Sequence, residues 1–178
     1  MTKEETAAAI EAILFASGTP VEVERIAAAL ELDTASVRDA ADELIEKYKG
    51  HGVKIIRLNK SLQMCSDKMY GQYVRRVMDM KKNTPLSQAA MEVLAVVAYN
   101  QPVTKAFVEQ IRGVDCSGVM TSLCQKGLVE EKGRLELPGR PLVYGTTEHF
   151  LRCFGIEDLE GLPPIEQKKD SGDGGREQ

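Results

Sequence analysis

The sequence has no tryptophan and only 5% aromatic residues, so its core must be built mostly from Leu, Ile, Val, Met and Ala. No apolar run reaches the roughly 20 residues that cross a bilayer. Lys3, Glu4 and Glu5 precede an Ala-rich stretch, which is not the basic start and apolar run of a signal peptide. There are two histidines, His51 and His149, and four cysteines, Cys65, Cys116, Cys124 and Cys153, none in a C-x-x-C pair. Cys116 and Cys124 stand about two helical turns apart, which does not make a zinc site. The expectation is four reduced thiols acting as small apolar residues in a cytosolic protein, with no metal. Walker loop, nucleophile elbow and dinucleotide fingerprint are all missing, so no catalytic residue and no cofactor are assigned. The net charge of −4 lacks the basic excess usual for phosphate binding.

What is present is a helical pattern met twice. Apolar residues make up 43% of the 178 residues, enough for a packed core. Ala7, Ile10, Ile13 and Leu14 recur at helical spacing, and Gly18-Thr19-Pro20 stops that helix. Val23, Ile26, Ala27 and Leu30 mark a second helix. Asp33 then caps a third, which carries Val37, Ala40, Ala41, Leu44, Ile45 and Tyr48. Val53–Leu58 and Leu62–Cys65 flank a turn and read as a hairpin. Met69, Tyr73, Val77 and Met80 continue as a fourth helix.

The second half repeats this order. Ser87 caps a helix to about Tyr99 that is apolar nearly all round, so it is expected to be covered on most sides. Phe107, Val108 and Ile111 are expected to face inward from the next helix. Val119, Met120, Leu123 and Cys124 are expected to be buried on the third. A hairpin follows, with Gly133-Arg134 and Pro138-Gly139-Arg140-Pro141 at its tip, and Glu148–Phe154 forms a last helix.

The predicted fold class is α+β, mostly α with small β-hairpin wings, as two tandem winged-helix domains. Residues 1–82 form the first domain, 83–85 the linker and 86–164 the second, with 165–178 as a disordered tail rich in Gly and charge.

In DNA-binding relatives of this plan the third helix enters the major groove. Here the first such helix exposes Arg38 and Lys47 against Asp39, Asp42, Glu43 and Glu46. The second offers Asp115, Ser117, Thr121, Ser122, Gln125 and one cation, Lys126. Both faces repel or fail to hold phosphate, so direct DNA binding is expected to be weak or absent. A winged-helix transcription regulator is the alternative reading, and an enzyme with a site between the modules is a second.

The ordered set Leu86-Ser87, Ala90, Glu92, Leu94-Ala95, Ala98-Tyr99, Gln101-Pro102-Val103-Thr104, Ile111-Arg112-Gly113-Val114-Asp115, Gly118-Val119 and Leu123 runs along the second half. It continues through Gly127-Leu128-Val129, Gly133-Arg134, Pro138-Gly139-Arg140-Pro141, Tyr144-Gly145-Thr146-Thr147, Phe150-Leu151, Phe154-Gly155 and Leu162-Pro163-Pro164. The first half adds Ile13-Leu14-Phe15-Ala16-Ser17-Gly18 and Pro20. In this ordered set the chain resembles the bacterial segregation and condensation protein B family. The resemblance implies a non-enzymatic, cofactor-free subunit of a condensin-like SMC–kleisin complex that condenses and segregates chromosomes during cell division. Its implied partners are the kleisin (segregation and condensation protein A), through it the SMC ATPase, and a second copy of itself joined through the N-terminal domain. The expected location is the cytoplasm, on the nucleoid and away from membrane. For the kleisin the candidate residues are Tyr99, Arg112, Asp115, Arg140 and Tyr144, since Arg and Tyr are frequent interface anchors. The alternative is that Arg112 and Asp115 pair with each other and that Arg140 only shapes its turn. For the dimer the candidates are Ala8, Ala12, Phe15 and Ala16, whose small side chains let backbones approach. Packing inside their own module is the alternative.

Overall fold

The computed structural model describes residues 1–78 and 85–164. Helix α1 (Lys3–Ser17) starts at a capping box: the Thr2 hydroxyl accepts from the Glu5 amide at 3.2 Å, and the Glu5 carboxylate accepts from the Thr2 amide at 2.8 Å. Gly18, at φ +63°, ends it in the left-handed conformation that glycine takes without penalty. The chain passes through β1 (Val21–Glu22) into α2 (Val23–Leu30) and α3 (Thr34–Lys47). Asp33 caps α3 by accepting from the Ser36 amide at 2.8 Å. Strands β2 (Val53–Leu58) and β3 (Ser61–Ser66) form the expected hairpin, with Ile55 opposite Met64. A 3-10 turn at Lys68–Tyr70 leads into α4 (Gly71–Val77).

The order then recurs as α5 (Gln88–Asn100), β4 (Val103–Thr104), α6 (Lys105–Arg112), α7 (Ser117–Gln125), β5 (Val129–Arg134), β6 (Leu142–Thr146) and α8 (Glu148–Phe154). A 3-10 turn at Leu159–Gly161 closes the described chain. Each hairpin gains a third strand, so the sheets run β1-β3-β2 and β4-β6-β5, antiparallel throughout. Three helices, a short strand and a two-stranded wing, met twice, make the α+β winged-helix architecture. The two-residue strands β1 and β4 are too short to leave an alternating pattern. The second wing is longer than the apolar residues indicate, because β5 continues through the charged Glu130–Arg134 and bulges between Glu131 and Gly133. Charged side chains on this edge strand discourage further strand pairing.

Two apolar cores result. Ile10, Leu14, Val23, Ile26, Val37, Leu44, Ile55 and Leu62 fill the first. Val93, Leu94, Val97, Val108, Leu123, Val129, Phe150 and Leu151 fill the second, together with Leu58 from β2. The halves also meet through hydrogen bonds. The Ser61 hydroxyl donates to Glu148 at 2.6 Å, Arg152 to Gln63 at 3.3 Å, and the Asn59 amide to the Glu157 carbonyl at 2.7 Å.

Three burial expectations are corrected. On α6 only Val108 is buried; Phe107 and Ile111 are 39% and 52% exposed. On α5 the stripe Met91, Ala95 and Tyr99 is open to solvent, although Ala90, Val93, Leu94, Val97 and Ala98 are buried. On α7 Met120 and Leu123 are buried, whereas Val119 and Cys124 are half-buried. In each case the apolar residues exceed what the adjoining helix and sheet can cover. Met80, Lys81, Lys82, residues 83–84 of the expected linker and the expected tail at 165–178 lie outside the described residues.

Candidate partner-binding surfaces

The five residues expected to meet the kleisin are held by different neighbours. Tyr99, at the C-terminal end of α5, donates its hydroxyl to the Pro163 carbonyl at 2.5 Å. Arg112, at the end of α6, forms an ion pair with Glu92 of α5, so it does not pair with Asp115. Its Nε is buried and has no partner among the described residues. Glu92 also accepts from the Gln88 amide side chain at 3.0 Å. That hydrogen bond, followed by the one from Arg112, holds its carboxyl below the usual carboxylate range. Asp115 accepts from the Ser117 hydroxyl and from the Ser117 amide at 2.7 Å, and these bonds likewise lower its pKa. It acts as a turn-former ahead of α7. Arg140, at the wing tip, pairs with Glu136 at 2.8 Å and has φ +40°. Its carbonyl accepts from Arg134 at 3.0 Å. Tyr144 is half-buried on β6, and burial pushes its phenol pKa up.

The structure therefore gives Arg112 and Asp115 local structural partners and leaves Arg140 on an exposed tip. Sequence reasoning missed the open apolar residues of this half: Met91 on α5, Phe107 and Ile111 on α6, and Val114 after it. The 91, 95, 99 spacing was the available signal, since residues four apart share a helix face.

In the first half Ala8, Ala12, Phe15 and Ala16 are all exposed on α1. They do not pack inside their own module, and Phe15 is 79% exposed. Ala8, Ala12 and Phe15 line a concavity of about 280 Å³ with Glu11, Tyr48 and Met64. Glu11 accepts from the Tyr48 hydroxyl at 2.7 Å, and that hydrogen bond raises the phenol pKa.

The outer face of α3 carries the exposed carboxylates Asp39, Asp42, Glu43 and Glu46. Arg57 engages Asp42, Lys3 meets Glu43 at 2.5 Å, and Lys49 meets Glu46 at 2.5 Å. Among the described residues no group of three or more His, Cys, Asp or Glu can hold a metal, and no helix is long and apolar enough to cross a membrane. All four cysteines are free. Cys116 is a buried core residue as expected, but Cys153 is exposed, with its Sγ 3.5 Å from His149 Nε2. Burial raises the Cys153 thiol and lowers His149, which leaves both neutral rather than forming a thiolate–imidazolium pair.

Residues 8–165 match the family described as Segregation and condensation complex subunit ScpB. The chain belongs to the ScpB family. It is 46% identical over 159 residues to segregation and condensation protein B of Caldanaerobacter subterraneus subsp. tengcongensis, covering 88% of this chain and 95% of that one. It is 39% identical over 170 residues to the Clostridioides difficile ScpB protein, covering 93% and 95%. Among solved structures it is similar to ScpB from Mycobacterium tuberculosis, at 32% identity, 88% and 98% coverage and a TM-score of 0.42. It is also similar to a dimer of the ScpB N-terminal domain complexed with ScpA peptide, at 23% identity, 42% and 95% coverage and a TM-score of 0.40.

Proposed function

We propose that this protein is a non-enzymatic subunit of an SMC–kleisin complex, acting in chromosome condensation and segregation on the cytoplasmic nucleoid. The observation that carries the reading is membership of the ScpB family, matched across residues 8–165. The reading assigns residues 1–82 to homodimerisation and 86–164 to the kleisin, the SMC ATPase being reached through the kleisin. Two surface features support a protein partner over duplex DNA. The outer face of α3 is rich in carboxylates, which oppose phosphate. The second half exposes Met91, Phe107, Ile111 and Val114, suited to an amphipathic helix laid along an apolar face. Tyr99, Arg112, Asp115, Arg140 and Tyr144 are the proposed contacts, and Arg112 also ties α5 to α6.

Affinity purification of the full chain from its native cytosol tests the class. It should recover a kleisin and an SMC ATPase; tight duplex-DNA binding with neither protein recovered would sink the reading. Titration with the kleisin's central segment then tests the surface. Ile111→Glu and Arg140→Ala, both at exposed positions, should each weaken binding about tenfold or more, the loss typical of an interface anchor. Unchanged affinity in both variants would move the kleisin site elsewhere.

A further inference from the structure

The first sheet ends on β2, which has β3 on one side only. The two-residue turn after β2 makes Leu58 and Ser61 the closing hydrogen-bonded pair, so Leu58, Ile56 and Lys54 direct their amides and carbonyls at β3. Val53, Ile55 and Arg57 therefore direct theirs outward, along an edge of about 13 Å. The Asn59 amide, next in this outward series, donates to the Glu157 carbonyl at 2.7 Å, and no other backbone group among the described residues takes up the rest. Ile55 is only 4% exposed, and an unpaired amide and carbonyl at so covered a position call for a partner. A cavity of about 450 Å³ runs beside them. Residues 54–58 all line it, from both faces of the strand, with Ile45 of α3 and residues 151–157 of the second half as further walls. Its size is that of a binding cleft, and the join between two modules is a common place for one.

We propose that this edge accepts a short extended peptide segment, alternately apolar and acidic, as a further strand beside β2. Backbone hydrogen bonds to Val53, Ile55 and Arg57 supply the affinity, and the side chains around the edge supply the specificity. Those surroundings differ in chemistry. Towards α3, Arg57 is already paired with Asp42, and Ile45 and Ile55 offer an apolar surface. The rest of the cavity carries Lys54, Lys68 and Arg152. Arg152 bonds to His149 and Gln63 rather than to a carboxylate, Lys54 reaches Asp67 only at 3.8 Å, and Lys68 forms no ion pair among the described residues. Glu157 is the one carboxylate among the described residues that line the cavity. An added strand turns alternate side chains to its two faces, so apolar residues meet Ile45 while carboxylates meet the three cations. A second copy of β2 fits this edge poorly, because it sets Lys54 and Arg57 of both chains on one short strand pair.

The test uses the full chain and a short fluorescein-labelled synthetic peptide of alternating valine and glutamate. Fluorescence anisotropy should show saturable binding that the same peptide with lysine for glutamate lacks. Lys54→Glu, at a partly exposed position, should weaken the acidic peptide about tenfold or more. Methylating the peptide's backbone nitrogens, which keeps its charge and removes its donors, should abolish binding. Hydrogen exchange locates the contact. The Ile55 and Arg57 amides should exchange faster than their neighbours in the free chain and slow when the peptide is added. The amides of Lys54, Ile56 and Leu58, already bonded to β3, should stay as they were. Failure of the acidic peptide to bind, equal binding of the lysine peptide, or binding that leaves exchange at Ile55 and Arg57 unchanged would each overturn the proposal.

Discussion

Gln101 holds together two segments 45 positions apart. Its Oε1 accepts from the Thr146 amide at 2.7 Å, and its Nε2 donates to the Thr146 hydroxyl at 2.9 Å and to the Ala98 carbonyl at 3.2 Å. Gly145 lies under this bridge: a Cβ there would come within 2.7 Å of Gln101 Oε1, so the glycine serves close approach rather than an unusual φ. Next along, the Thr147 hydroxyl donates to the Gly127 carbonyl at 2.5 Å and accepts from the Phe150 amide at 3.1 Å, capping α8. The sequence pieces Gln101-Pro102, Gly127-Leu128 and Gly145-Thr146-Thr147 are thus one interlocked structural unit. Gln101→Leu takes away the partners of the Thr146 amide and hydroxyl, and Thr146 is only 7% exposed. A buried amide left unpaired costs about 1–3 kcal/mol, so the thermal midpoint should fall by several degrees. An unchanged midpoint by calorimetry would mean that water replaces the side chain at Thr146.

At the scale of elements, much of the architecture was legible. Asp33 and Ser87 cap α3 and α5 because a short oxygen-bearing side chain ahead of an apolar period satisfies a free helix amide. What was not legible is which way a short helix faces. Eight-residue α6 carries Phe107, Val108 and Ile111, and periodicity groups them on one side without stating how much of that side a neighbour covers. The Glu92–Arg112 pair links α5 to α6, and residues 20 apart leave no local pattern. This pair carries a pH signature. The Glu92 carboxyl is held below 4.5 by Gln88 and then Arg112, so its contribution is present above the unfolded value. It is lost as pH falls through the lower folded value. Glu92→Gln, which keeps the shape and removes the charge, should therefore be less stable than the native chain at pH 7. In denaturant titrations the two midpoints should converge as pH falls below the usual carboxylate range. A gap that stays constant from pH 7 down through the carboxylate range would show that the charge of Glu92 plays no part.

At the scale of the whole molecule, the tandem plan could be read from duplicated element order, but not the way the halves join. Leu58 ends β2 on the face it shares with Ile56 and opposite Ile55, so alternation turns it away from the first core without saying what covers it. The structure sends it into the second, among the cluster that holds Phe150 and Leu151, and Ile56 packs against the same cluster. Ser61 and Gln63, both buried on β3, meet Glu148 and Arg152 of α8 alongside. One face of the first wing thus serves as a wall of the second half. Leu58→Ala should cost about 2–5 kcal/mol, the usual loss for a large-to-small change in a core. The distribution of that loss is the sharper test. If the halves unfold as a coupled pair, hydrogen exchange should quicken in α8 at Phe150 and Leu151 as well as in β2 and β3. Faster exchange confined to β2 and β3 would show that the second core closes without Leu58, and that the two winged-helix units are joined by their linker and surface hydrogen bonds alone.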